Sequence, residues 1–211
     1  MNREEKITII KKFSLFDSLT DAELTFIAQN AKPVAFPPHK TIISQDKSSE
    51  GIYAIYKGLI RVFIISKEDK VIPIKIKSDP YIIGIVDVID NERASIIEAV
   101  QETRALFIPK EYFMKIIMEN VRITFSVLQL VTKKLRETNL QTEYYFSSTL
   151  KDRILYVLKE LAPFFPENTI TLSHEEIADF VGATRARVTE ILDEFSNQKI
   201  ISLSQRKILV L

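Results

Sequence analysis

The chain contains no cysteine, which excludes disulfides, thiolate metal sites, cysteine-ligated iron–sulfur clusters and cysteine nucleophiles. Its two histidines, His39 and His174, lie too far apart in sequence to form a metal-ligand spacing. Glycine is scarce, at four residues in 211, so no glycine-rich phosphate loop is present. A nucleophile–base constellation is missing as well, so the pattern does not describe an enzyme. Nor does one sign of charge prevail: 29 Lys and Arg against 28 Asp and Glu leave a net +1, so any affinity for nucleic acid must come from a local patch. No apolar run approaches the ~20 residues of a membrane-spanning helix. The opening MNREEKITIIKKF is polar and mixed in charge, unlike a secretory leader. By elimination these absences predict a cytoplasmic protein with no membrane partner.

What is present changes texture along the chain. Thr20 and Glu23 make a capping box, which predicts a helix over 17–32 closed by Pro33 and Pro37-Pro38. From 34 to 108 short β-branched segments recur: TIIS, GIYAIYKGLIRVFII, KVIPIKI, YIIGIVDVI, ASIIEAV and RALFI. Turn-forming clusters separate them, a spacing that predicts an all-β sandwich or barrel with Gly58 in a tight hairpin. After Pro109 the period becomes helical, with a short helix over 110–118 and a long one over 121–145. On the long helix Val121, Thr124, Leu128, Val131, Leu135 and Thr138 follow a heptad-like seam, while Ile123, Val127 and Leu130 form a second apolar stripe. A surface helix needs one buried stripe. Two stripes admit either a wholly internal helix or one packed both on the β-domain and on a second copy of the chain.

Ser147-Ser148 reads as a hinge before an amphipathic helix over 149–161. The final segment, ITLSHEEIADFVGATRARVTEILDEFSNQKIISLSQRKILVL, parses piece by piece. Ser173 and Glu176 form a capping box on a helix of about two turns whose buried face is Ile177, Ala178 and Val181. Gly182 permits the left-handed conformation of a tight turn. Thr184 caps a second helix with Val188, Ile191, Leu192 and Phe195 inside and Arg185, Arg187, Thr189 and Glu190 outside. A hairpin of 200–203 and 208–211 around a basic tip follows. The order predicts a winged helix-turn-helix.

In EEIADFVGATRARVTEIL, GIYAIYKGLIRVF and IIGIVDVIDNERASIIEA the chain resembles the CRP/FNR superfamily of transcription regulators, over nearly its full length from about Phe13. The resemblance implies an α+β fold. A jelly-roll β-barrel of cyclic-nucleotide-binding type would occupy 1–118, a dimerisation helix 119–146 and the winged helix-turn-helix 147–211. It also implies a homodimer on pseudo-palindromic double-stranded DNA, with RNA polymerase as a compatible partner.

The family's base-reading positions correspond to Arg185, Ala186 and Glu190. Arginine grips guanine O6 and N7, an alanine methyl can touch thymine, and glutamate can accept from a cytosine amine. Only Arg185 fits the cyclic-AMP receptor's own set of Arg, Glu and Arg, so a different half-site is expected, with Arg187 and Thr189 contributing. His174, Thr184, Arg206 and Lys207 are expected phosphate contacts.

In relatives that bind cyclic nucleotides the cassette supplies a Gly-Glu pair and an Arg-Ser pair. Here Gly84 is followed by Ile85, and Arg93 by Ala94. Each missing polar partner costs about 1–3 kcal/mol, so cyclic AMP is not expected to bind in the ordinary way. Thr138 and Asn139 fall where such ligands touch both subunits. An unidentified effector held by Arg93, constitutive activity, and control through another protein or through abundance all stay open. A haem sensor has only His39 in its favour. The alternatives are a cyclic-nucleotide-dependent activator and a regulatory module acting on a protein partner; the winged segment argues against the second.

Overall fold

The computed structural model describes residues 1–45, 50–69, 71–92, 95–204 and 207–211, with the backbone alone at Gln141 and Tyr145. Arg93, Ala94 and Arg206 therefore lie outside the described residues. The chain begins with α1 (Arg3–Ile10), a 3-10 turn at Ser14–Phe16 and α2 (Asp21–Asn30). Helix α1 lies in the stretch read only as polar. Its signal was a capping box: the Asn2 side chain accepts from the Glu5 amide, and the Glu5 carboxylate from the Asn2 amide, both at 2.8 Å. Helix α2 carries the expected box at Thr20 and Glu23 but is shorter than the expected span.

The strands β1 (Lys32–Phe36), β2 (Thr41–Ile43), β3 (Gly51–Lys57), β4 (Leu59–Ile65), β5 (Val71–Ser78), β6 (Tyr81–Ile83), β7 (Ile96–Ala99) and β8 (Thr103–Pro109) follow, with α3 (Ile85–Asp90) between β6 and β7. They form two four-stranded sheets, in the orders β1-β8-β3-β6 and β2-β7-β4-β5. This is the layered β-architecture expected of a jelly roll. Pro33 does not end a helix but sits in β1, an edge strand of its sheet, the place in a sheet where proline is tolerated.

Gly58 is not a hairpin turn. The strands on either side of it belong to different sheets, so the chain crosses from one layer to the other at this residue. Its φ is +125°, and a Cβ there would stand 2.5 Å from Thr103 Oγ1 and 2.7 Å from Thr103 Cα. Both the left-handed backbone and the contact with Thr103 require glycine. Gly58→Ala is expected to lower stability by about 2–4 kcal/mol, seen as a lower denaturant midpoint with unchanged slope.

The expected strand YIIGIVDVI also divides: β6 ends at Ile83, Gly84 adopts φ +86°, and α3 starts at Ile85. A Cβ on Gly84 would lie 2.9 Å from the Gly51 carbonyl oxygen, so this turn is glycine-dependent too.

Helices α4 (Lys110–Glu119) and α5 (Val121–Ser147) complete the first part. Strand β3 alternates: Ile52 and Ala54, with Leu106 and Ile108 of β8, face a core filled by Ile10, Leu24, Ile27, Phe113, Ile123 and Val127 of the helices. Beyond α5 come α6 (Leu150–Leu161), β9 (Thr169–Ile170), α7 (His174–Val181), α8 (Arg185–Asn197), β10 (Ile201–Ser204) and β11 (Lys207–Val210). The chain divides into two compact units, Met1–Val62 with Ile76–Asn139, and Phe63–Lys75 with Leu140–Leu211. The second has its own buried side chains, among them Leu158, Leu161, Ile177, Val188 and Leu192.

The apolar stripe Ile123 and Val127 is buried as expected, with Leu130 and Val131 packed partly against the same core. The outer seam differs from the expected one. Val121, Phe125, Leu128 and Leu135 are its exposed apolar members, at 84%, 58%, 58% and 61%. Val131 faces inward, and the Thr124 hydroxyl donates to the Ile117 carbonyl at 2.5 Å. The register is shifted by one residue at these positions, because the buried stripe rotates the helix.

Candidate nucleic-acid interface and effector cassette

Local chemistry sets the two helices of the C-terminal unit. The Ser173 hydroxyl accepts from the Glu176 amide at 3.2 Å, and the Glu176 carboxylate accepts from the Ser173 amide at 2.8 Å. The box starts α7, which buries Ile177, Ala178, Phe180 and Val181. Gly182 ends it at φ 65°, ψ 48°, and the Ala183 amide donates to the Ala178 carbonyl at 3.1 Å. Thr184 then caps α8, its hydroxyl accepting from the Arg187 amide at 3.4 Å. Val188, Ile191, Leu192 and Phe195 are the inner face of α8.

The outer face of α8 presents Arg185, Ala186, Arg187 and Glu190 to solvent. Arg185 is the first helical residue, and its guanidinium makes no hydrogen bond or ion pair among the described residues. It adds its charge to the positive end of the helix macrodipole, a favourable place for an anion. Arg187 instead pairs with Glu190 one turn on, at 2.5 Å. This pairing offsets the repulsion Glu190 would exert on a phosphate and holds its carboxylate to one side. Thr189 is half-buried, and its hydroxyl meets His174 Nδ1 at 2.9 Å, tying the first turn of α7 to α8. Two residues expected to face DNA are thus engaged with each other.

The wing strands β10 and β11 pair with Ser204 opposite Lys207, so these two residues of the expected tip belong to the strands. Strand β11 also pairs with β9, Ile208 opposite Ile170, which braces the wing from its other side. Lys207 is exposed at the start of β11. An ion pair between Lys151 and Glu194, 2.5 Å, joins α6 to α8 and has no signal in the sequence. Its partners are distant in sequence and neither has a motif.

In the cassette, Gly84 and Ile85 stand together at the start of α3, and Ile85 is a core side chain, 1% exposed, packed with Ile52 and Val88. Thr138 and Asn139 are exposed on α5, where the Thr138 hydroxyl donates to the Lys134 carbonyl at 2.9 Å. No hydrogen bond links either of them to Gly84 or Ile85 among the described residues. Sequence reasoning missed the Arg61–Glu98 pair, 3.1 Å and mostly buried, which bridges β4 and β7. His39 lies in an exposed turn at φ 64°. Among the described residues no cluster of His, Asp or Glu could hold a metal ion, and no helix is long and apolar enough to cross a membrane.

The chain matches two domain families: the cyclic nucleotide-binding domain over residues 33–120 and the Crp-like helix-turn-helix domain over 152–211. It is 22% identical over 210 residues to the CRP-like cAMP-activated global transcriptional regulator of Mycobacterium tuberculosis, covering 96% of this chain and 94% of that protein. It is 23% identical over 185 residues to the global nitrogen regulator of Synechococcus elongatus, covering 83% of each. Among solved structures, a Crp/Fnr-family transcriptional regulator from Eubacterium rectale superposes with a TM-score of 0.85 at 22% identity, over 95% of this chain and 94% of that one.

Proposed function

We propose that this chain, which belongs to the CRP/FNR family of transcription regulators, works as a homodimer that reads a pseudo-palindromic DNA site through α8 and is not switched by cyclic AMP. The observation that carries the DNA reading is Arg185, exposed and unengaged among the described residues at the capped N-terminus of α8, in a segment matched by the Crp-like helix-turn-helix domain. Arg185 would take guanine, the Ala186 methyl would touch thymine, and Glu190 would accept from a cytosine amine. Arg187 acts in this scheme by orienting Glu190, and Thr189 by fixing α7 on α8. His174, Thr184, Lys207 and Arg206 supply phosphate contacts, which position the helix without specifying sequence.

Dimerisation is supported by the exposed apolar seam Val121, Phe125, Leu128 and Leu135, whose spacing is completed by Thr132 into alternating steps of four and three. A row of this kind on a solvated helix marks an association surface. Independence from cyclic AMP is supported by Ile85, a core side chain in the position that holds a carboxylate in nucleotide-binding relatives. The M. tuberculosis relative is named as cAMP-activated, so nucleotide control is the second reading. Site selection with random DNA, followed by gel shifts, separates the two. Affinity for the selected site is expected to change less than about twofold with 1 mM cyclic AMP. A tenfold or greater gain would establish the second reading. Recovery of the cyclic-AMP receptor's own half-site would contradict the assignment of Ala186 and Glu190.

A further inference from the structure

A cleft of about 230 Å3 opens in the N-terminal unit between the 3-10 turn, the start of β6 and α5. None of the cassette positions Gly84, Ile85, Thr138 and Asn139 lines it. Its wall is apolar at Phe13, Leu15, Ile82 and Leu130, and basic at Lys12, Lys133 and Lys134. Lys134 is fixed in place: its ammonium donates to the Ile82 carbonyl at 3.0 Å and stands 4.9 Å from the centre of the Tyr81 ring. Glu137, the one acid among the described residues of the wall, is engaged by Lys77 at 3.3 Å, which weakens its repulsion of an anion. Lys12 and Lys133 are exposed, and their ammonium groups make no hydrogen bond or ion pair among the described residues. The wall therefore carries an excess of positive charge over an apolar base.

Tyr81 adds a second observation. Its hydroxyl is shut off from solvent and has no hydrogen-bond partner among the described residues. Burial, and then the nearby Glu137 carboxylate, push its pKa up to about 12, so it remains a proton donor through the physiological range. Because the hydroxyl is closed to solvent, an anionic acceptor in the cleft would reach this unmet donor only after a small shift of the ring.

We infer that this cleft binds a small organic anion, an apolar body of modest length carrying one carboxylate or phosphate headgroup, held by Lys12, Lys133 and Lys134. The volume lies below the ~300–1,000 Å3 of sites for drug-sized molecules, which limits the ligand to on the order of ten heavy atoms. Such a ligand would touch the 3-10 turn, β6 and α5 at once.

Titration calorimetry on the full-length protein tests the inference with octanoate and octyl phosphate. Acetate supplies a headgroup without the body, and octanol the body without the headgroup. At least one of the two anions is expected to bind saturably, one per chain, with a Kd below about 1 mM, and acetate and octanol at least about tenfold more weakly. The tighter anion identifies the headgroup. The double variant Lys12→Gln/Lys133→Gln, which alters two exposed side chains and leaves the core intact, is expected to weaken binding about fivefold. Ser14→Trp, which fills the cleft from the 3-10 turn, is expected to abolish it. Octanol binding as tightly as octanoate, an unchanged Kd in the double variant with native circular dichroism, or no saturable heat from either anion up to about 5 mM would each overturn the inference.

Discussion

Leu128→Glu combined with Leu135→Glu is expected to turn the protein into a folded monomer that no longer holds its DNA site. Both side chains are exposed and lie on the outer seam of α5, away from the stripe Ile123 and Val127 that fixes the helix to the core. The substitutions therefore leave the chain's own packing in place, so the monomer should keep a cooperative thermal transition, with a midpoint lowered only by the lost stabilisation from association. In an apposed pair of helices the same positions would bring four carboxylates into one apolar seam, a desolvation cost that no partner offsets. A monomer keeps one reading head, and losing the second removes the gain from simultaneous binding, about 100- to 10,000-fold in affinity. Sedimentation equilibrium reads the change in mass, and fluorescence anisotropy on a full site and on an isolated half-site reads the loss. Equal binding of the wild type to full and half-sites would defeat the dimer.

Arg185→Ala should be the most damaging single change in the reading head. A bidentate arginine–guanine contact discriminates by about 1–3 kcal/mol, and two half-sites double it, giving about 30-fold to 25,000-fold weaker specific binding. Non-specific affinity should fall only slightly, because one phosphate-range charge per half-site is removed. Arg185→Lys separates the two effects: it preserves the charge but not the two-pronged donor geometry, so specificity should fall nearly as far while the salt dependence stays close to wild type. Since the exposed Arg185 guanidinium makes no hydrogen bond or ion pair among the described residues, neither substitution should disturb folding. Competition binding with selected and scrambled duplexes at two salt concentrations measures both quantities.

The helix-turn-helix was legible almost residue by residue because its determinants are local. Ser173 with Glu176, Gly182 and Thr184 each act within a few positions of themselves, and all four behave as their sequence context suggests. The same rule at Asn2 and Glu5 announces α1, although the surrounding polarity masked it. The β-region was legible in kind but not in connection. Gly58 between two alternating segments is what a hairpin requires, yet whether two strands pair or part depends on partners far away, and here β8 and β7 claim them. Gly84 misled in a similar way, since an apolar run of this length fits a buried strand or a short helix equally well. On α5 the two stripes were visible, but the register of the outer one was set by which side the core holds. The contacts of His174 with Thr189 and of Arg187 with Glu190 required coordinates: at sequence level all four residues look free to face DNA.

The layering of the N-terminal sheet also sets a schedule for synthesis. Among the described residues strand β1 pairs only with β8, Lys32 opposite Phe107 and Phe36 opposite Thr103, and β8 is also the neighbour of β3. While the nascent chain is still short of Thr103, this sheet lacks one of its two interior strands, and Ile52 and Ala54 have no β8 beside them. Pairings so remote in sequence close slowly and leave apolar strands open meanwhile. The wing is the opposite case, its two strands adjacent in sequence and ready to close as soon as they appear. The N-terminal β-region, although made first, is therefore expected to keep apolar strands open longer during translation than the wing does.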